Sequence, residues 1–404
     1  MTLTHLKGDS TLAFLAEGYA FGHRRFERVD ADAFRTRLKG RPVTMIRGLD
    51  AARFFYEGDR FTRVDAMPTS VLHSLQDERS VQTLSGAAHR LRKTSFEHLL
   101  LTEKALPLTS TFERRWTQAV RAWPRDEAVD VKREAERALT ASALEWAGCS
   151  ETDTEARTHE ITAMIEGAGS FGPRNAHGRL LRRRTERWAR DEIRRARANE
   201  DGSSPLHAVA HWTDEQGRPL PEAVAGVELL NLIRPVTAVA RFIAFAALAL
   251  HRHPQWRERM RMDPHALEAF CAEVRRTTPF FPVIGGRALF DTSWRGLDIV
   301  KGEWVVLDLF ATNRHPDEWE HAWEFRPERF LAAPSTAAHI VAQGAGTMAT
   351  GHRCPGEPAT ESLLAVGVHG MTSVAWRADD HDVRVDLRRL PALPGRHGMR
   401  IRRE

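Results

Sequence analysis

The longest apolar run of the chain, Val227 to Leu250, has the length of a membrane-spanning helix yet carries Glu228, Arg234 and Arg241. About 20 apolar residues are needed to cross a bilayer, and ionised side chains within it are expensive. The run therefore reads as a long helix through the interior of a globular protein, with no membrane span. Pro235 lacks a backbone donor and is expected to bend or loosen that helix. Burying such an element on all sides takes a large core. A chain of 404 residues, 42% hydrophobic and 28% charged, has the material for one.

Helical periodicity recurs around residues 87–104, 131–147, 155–168, 180–198 and 265–276, separated by Gly, Pro or polar clusters. Strand signals are few: Pro42 to Ile46, then Leu297 to Leu309 with a turn at Lys301-Gly302, and an alternating stretch in the C-terminal quarter. The expected class is mainly α with small β-sheets. Without an internal repeat, low-complexity tract or long linker, residues 1–404 read as a single domain.

Lys and Arg outnumber Asp and Glu 59 to 54, which permits anionic partners. The absence of a polybasic tail or an aromatic-interleaved basic stripe argues against nucleic acid. Cys149, Cys271 and Cys354 lie far apart, so neither a disulfide framework nor a Cys-rich zinc site is expected. The first 20 residues lack the basic start, apolar run and small-residue cleavage site of a secretory signal. A reducing, cytoplasmic location is expected.

The strongest local signal runs from Gln343 to Glu357, a glycine-punctuated loop that delivers Cys354 just before a helix expected over 358–370. A helix N-terminus and nearby backbone N–H groups favour a thiolate, the form that ligates a metal. Glycines at 344, 346, 351 and 356 let the backbone pass close to a flat ligand. Cys354 taken alone could equally be an unligated loop cysteine, or a nucleophile paired with a base, although adjacent His352 has no evident orienting partner. Glu273 and Arg276, three apart on one helix face, and Arg329 within Phe325 to Phe330 could form a Glu–Arg–Arg cluster. Arg234, a guanidinium inside an apolar helix, needs an anion to offset its desolvation. Glu228 is nearby but six residues away on a different face of an ideal helix, so the anion is either another protein carboxylate or a ligand's.

In this order and spacing, the Glu273-x-x-Arg276 helix, the Pro327-Glu-Arg-Phe330 segment and the Cys354 loop resemble the cytochrome P450 superfamily. The resemblance narrows to its bacterial fatty-acid peroxygenases through Arg234-Pro235 and Gly351-His-Arg-Cys-Pro-Gly-Glu357. It runs over nearly the whole chain, taking in Leu12 to Tyr19, Asp59 to Arg63, Gly172 to Arg174, Leu230 to Pro235 and Arg388 to Pro394. It implies the cytochrome P450 fold and haem b as cofactor, with Cys354 as the iron's proximal ligand. The positions matching the propionate-binding groups are Arg63, His89, Lys93 and His352. His89 and Lys93, four apart, share one helix face.

The resemblance further implies that Arg234 holds the substrate carboxylate, Pro235 follows it at the catalytic position, and Thr237 lacks the acidic neighbour of a reductase-dependent P450. The substrate's own carboxylate would then serve as acid–base for peroxide cleavage, and no redox partner protein is expected. Gln82 stands where the alkene-forming members carry His. Glutamine supplies no proton near neutral pH, so hydroxylation at the α or β carbon is expected. The alternatives are a reductase-dependent monooxygenase, a fatty-acid decarboxylase making terminal alkenes, and a non-catalytic haem-binding protein. Polar Gln76, Asp77, Glu78 and Arg79 occupy a segment where the family lines its acyl channel with Phe-Gly, and Phe171 with Phe280-Phe281 could narrow the pocket. Phe171 and Phe281 are thus expected substrate contacts, and a shorter, aromatic or partly polar acid stands beside a long fatty acid.

Overall fold

The apolar run folds as two successive helices rather than one, Glu222–Ala238 and Ala240–Arg252. Pro235 lies inside the first and cannot donate to the preceding turn. The chain tightens four residues on, where the Val239 N–H reaches Val236 O at 3.1 Å, and it resumes when Ile243 N–H reaches Val239 O at 3.1 Å. The computed structural model describes residues 4–67, 80–150, 153–169, 172–199, 202–348, 351–379, 383–396 and 398–404. Among these, Glu222–Arg252 is the one stretch long and apolar enough to cross a membrane, and it is almost wholly buried inside the protein.

The covering layer comes from the expected helices, with shifted ends. Val131–Ala147 begins where Asp130 Oδ1 accepts from Arg133 N–H at 3.0 Å and ends at Gly148, φ 79°. Gly86–Leu100, Thr154–Gly167, Pro264–Thr277 and Glu357–Thr372 answer to the other periodic segments. The helix expected over 180–198 begins earlier, as Pro173–Ala198, with Pro173 in its first turn. It packs tightly on Thr154–Gly167, since a Cβ at Gly178 would lie 2.7 Å from Ala163 O. Leu106–Ala122, not anticipated from periodicity, contributes Phe112, Trp116 and Val120 to the core shared with Leu139, Leu229, Ile233, Phe242 and Leu363.

The β structure is small and, among the described residues, falls into three sheets. Six strands line up in the order Thr4–Asp9, Ala33–Leu38, Arg41–Ile46, Trp304–Asp308, Val283–Ala288 and Phe61–Thr62. The Leu297 to Leu309 signal divides at Lys301-Gly302, and its halves go to different sheets. Leu297–Ile299 pairs with Thr292–Trp294, while Trp304–Asp308 enters the large sheet between Arg41–Ile46 and Val283–Ala288. All five residues of Trp304–Asp308 are buried, which suits a central strand and not an exposed hairpin arm. Leu309 already opens a short helix. In the C-terminal quarter, Trp376–Ala378 and Arg400–Arg403 pair antiparallel, and Val129–Asp130 joins their sheet.

Candidate active site

The Cys354 loop is built on glycine where the backbone requires it. Gly344 has φ 105°, and a Cβ there would sit 3.0 Å from Arg353 Cα. The loop is closed by Cys354 N–H donating to Gln343 O at 2.9 Å, and the helix Glu357–Thr372 starts three residues later. The sequence reading expected a favoured thiolate. In the protein burial dominates and holds the thiol above its ordinary pKa, against the opposing pull of the Gly356 N–H, Lys93 and Arg275. A metal ion replacing the proton would reverse that balance.

Around this loop lie the four groups expected to bind the propionates. His89 and His352 stack with ring centroids 3.9 Å apart. Arg63 lies over the Phe55 ring at 4.3 Å and donates to Gly285 O at 3.0 Å. Lys93 reaches the carbonyl oxygens of Gly351 and Arg353, tying the helix Gly86–Leu100 to the cysteine loop. Arg63, His89 and Lys93 are buried and His352 is half-buried. Burial, then mutual repulsion, pushes His89 down to about 4 and His352 further, and burial alone takes Arg63 down to about 10. Among the described residues no carboxylate forms an ion pair with Arg63, His89 or His352. A group bearing two carboxylates answers this arrangement, because its charge would offset the desolvation of all four. The residues present therefore fit haem: Cys354 would ligate its iron, and the four groups around the loop would meet its two propionates.

Glu273, Arg276 and Arg329 do form one cluster. Arg276 grips Glu273 through Nε–Oε2 and Nη2–Oε1 bonds, each 2.7 Å, and Arg329 Nε lies 3.4 Å from Glu273 Oε2. Arg276 also donates to the carbonyls of Asn313 at 2.8 Å and Ala322 at 2.9 Å. The sequence reading missed the neighbouring Arg275. Its guanidinium joins Glu357, Glu361 and Gln343, and Arg353 Nε meets the same Glu357 at 2.6 Å. Both ends of the cysteine loop are therefore clamped to the helix Pro264–Thr277. The available signal was the acidic Glu357 directly after Cys354-Pro-Gly.

Arg234 lies in the helix Glu222–Ala238. Burial lowers it to about 9, helped by Arg182 and opposed by Glu186 and Glu228. Between Ala225 and Thr237 Pro235 alone is exposed, so the helix borders accessible space beside Arg234. Glu228 does not pair with Arg234 directly, as its helix face implied. Asn231 bridges them, accepting from Arg234 Nη2 at 2.7 Å and donating to Glu228 Oε2 at 2.8 Å. Asn231 Nδ2 also reaches Gln82 Oε1 at 3.2 Å, which brings the two expected substrate residues to one amide. Asn231 was overlooked, although its spacing of three residues from both neighbours signals a shared helix side.

Thr237 turns from this side to meet Thr140 Oγ1 at 2.9 Å. Phe281 is exposed and sits edge-on to half-buried Phe280 at 4.5 Å, while Phe280 also faces Phe242 at 5.3 Å. Phe171 and the Gln76 to Arg79 segment lie outside the described residues.

Comparisons with known proteins agree with this geometry. The family profile "Cytochrome P450" matches residues 246–358, the stretch from the core helix to the cysteine loop. Cytochrome P450SP alpha (CYP152B1) in complex with (R)-ibuprofen is 36% identical, with a TM-score of 0.93 over 98% of both chains. Cytochrome P450EX alpha (CYP152N1) with myristic acid is 32% identical, TM-score 0.92, over 100% of both. A variant of cytochrome P450 OleT in complex with arachidonic acid is 28% identical, TM-score 0.94, over 100% of this chain and 98% of that one. Curated relatives match over shorter lengths: cytochrome P450 76A1 of Solanum melongena is 24% identical over 29% of each chain. Putative cytochrome P450 137 of Mycobacterium tuberculosis is 28% identical over 46% of this chain and 40% of its own. The chain thus spans less than a third of the first such relative's length. The fold and a cysteine loop lined by Arg63, Lys93 and two imidazoles together define a haem protein. The chain belongs to the cytochrome P450 family, within its bacterial fatty-acid peroxygenase branch.

Proposed function

We propose that the chain is a haem-thiolate peroxygenase that uses hydrogen peroxide, with no redox partner protein, to hydroxylate a carboxylic acid at the α or β carbon. The observation that carries this reading is Arg234, a buried guanidinium beside the one exposed point, Pro235, of the helix from Ala225 to Thr237. A carboxylate entering there gains a charge-assisted contact and offsets the desolvation that depresses Arg234 to about 9. Anchoring by its head group leaves the α and β carbons nearest the reacting centre.

Cys354 would hold the haem iron, Arg63, His89, Lys93 and His352 would hold its propionates, and the haem would supply the oxidation chemistry. Proton handling falls to the substrate. Thr237 is engaged by Thr140, and the buried acid of the same helix, Glu228, is held by Arg92 at 2.6 Å, so neither supports the acid–alcohol relay of a reductase-dependent enzyme. The bound carboxylate instead acts as acid–base, held at Arg234. Gln82 supplies no proton, which favours hydroxylation over alkene formation. Structural neighbours hold myristic acid, arachidonic acid and ibuprofen, and these support a fatty or aryl-substituted acid as substrate. The three free cysteines suit a cytoplasmic setting.

The test is turnover of the haem-loaded protein with peroxide alone, comparing myristic acid with its methyl ester and identifying products by mass spectrometry. Hydroxy acids from the acid and no conversion of the ester are expected. Equal rates for the two, or turnover only with a reductase, would overturn the proposal.

A further inference from the structure

Glu228, Asn231 and Arg234 follow one another at three-residue intervals, and their side chains connect end to end. Glu228 is fully buried and accepts from Arg92 Nη1 at 2.6 Å, from Val81 N–H at 3.0 Å and from Asn231 Nδ2 at 2.8 Å. At the other end, Arg234 Nη2 donates to Asn231 Oδ1 at 2.7 Å. Burial raises the Glu228 pKa, but Arg92 and the other two donors favour the carboxylate and leave it only an accepting role, while a guanidinium can only donate. The amide between them has one orientation open to it.

That orientation is passed on to Gln82. Asn231 Nδ2 donates to Gln82 Oε1 at 3.2 Å, and Ser80 Oγ donates to the same oxygen at 2.7 Å. With its oxygen taken by two donors, the Gln82 amide has its NH2 group left for another partner. Arg92 comes from the helix Gly86–Leu100 and Val81 from the segment just before it, so one carboxylate ties this wall of the site to the core helix.

We propose that Glu228, held by Arg92, is a positioning residue that sets the polarity of the Glu228–Asn231–Gln82 and Asn231–Arg234 contacts, so that Gln82 and Arg234 offer only N–H donors to the substrate head group. Such a site accepts a carboxylate and rejects a primary amide of the same chain, whose own NH2 would meet donors and stay unpaired. The inference rests on the reading that Arg234 holds the acid.

The test is titration of the haem-loaded protein with myristic acid and with its primary amide, following the substrate-induced shift of the haem absorbance. Glu228→Gln replaces an obligate acceptor with a group that can donate or accept, so Arg234 alone still orients the Asn231 amide and the hold on its donor end, which faces Gln82, is loosened. The expected result is a fall of about tenfold or more in the acid-to-amide affinity ratio, with haem content and the reduced carbon monoxide band unchanged. A merely structural role would weaken both ligands alike or cost haem. Asn231→Leu interrupts the contacts while leaving the Glu228–Arg92 pair in place, and it should lower the ratio equally. It decides the matter if Glu228→Gln fails to take up haem. Unchanged ratios in the folded variants overturn the inference. Arg234→Ala separates the two layers: wild-type acid affinity in that variant overturns the anchoring reading itself, whereas lost acid affinity there beside unchanged ratios in the other two overturns only the positioning role.

Discussion

A guanidinium is costly to bury wherever it occurs, and Arg234 offsets part of that cost with the Asn231 oxygen at 2.7 Å and the more distant Glu186 and Glu228. Removing it should do more than weaken binding, because the anchored carboxylate is also the proposed acid–base. Arg234→Ala is expected to lower peroxide-driven kcat/KM by about 100-fold or more, with kcat falling as well as KM rising. Steady-state kinetics at several peroxide concentrations check this. In the wild-type protein, acetate should restore turnover of a substrate lacking its own carboxyl group, since the guanidinium can hold the small acid. At the neighbouring position, Gln82→His brings a titratable imidazole to the amide now contacting Asn231 and Ser80. The alkene share of the products, measured by gas chromatography, is expected to rise above that of the wild type.

At the scale of elements, the helix Pro264–Thr277 is the brace of the cysteine loop. One face carries Glu273 and Arg276, which lock the segment from Asn313 to Arg329, and the adjacent Arg275 clamps Gln343 and Glu357. Glu273 and Arg276 are fully buried. Truncating Arg276 leaves buried Glu273 with only Arg329 at 3.4 Å and the Arg326 N–H, at a cost of up to about 3–5 kcal/mol. Arg276→Ala is therefore expected to give poorly soluble or haem-poor protein, read by the ratio of Soret to protein absorbance after purification. A soluble, haem-replete Arg276→Ala protein without activity would assign the residue to the chemistry. The core helix obeys a different rule. Its break at Val239 follows from Pro235 and was legible as a bend, but its division into two helices depended on where the backbone found its next hydrogen bond.

Across the whole molecule, Glu166 gathers cations from distant parts of the chain. Lys132 lies 3.2 Å away, Arg241 2.5 Å and Arg389 3.2 Å, and Arg241 also donates to Ala392 O. Burial would raise the Glu166 pKa, but Arg241, Lys132 and Arg389 outweigh it and bring it to about 2 from an ordinary 4.5. Its folded-state pKa is thus depressed, so its contribution to stability is present above pH 4.5 and is lost as the pH falls toward 2. The difference corresponds to about 3 kcal/mol. Chemical denaturation of the wild type should show stability dropping across that window. Glu166→Gln should be less stable at pH 7 and show a shallower drop, because no carboxylate remains there to protonate.

What the amino-acid sequence determined by itself was whatever depends on local pattern. The helical periods around 131–147 and 265–276, the glycines before Cys354, the charge-bearing apolar run and the Glu273–Arg276 spacing each have a physical meaning within a few residues. So did the family, because its motifs recur in a fixed order. Only the tertiary structure decided which distant groups share one desolvated volume. Arg92 meets Glu228 across 136 positions, Arg275 meets Glu357 across 82, and Lys132 meets Glu166 through helix packing. A buried charge must find its counter-charge in space, and that partner's place in the chain carries no local periodicity to announce it. The same holds for the strand Trp304–Asp308, whose five buried residues say that both faces are covered but not which strands cover its edges.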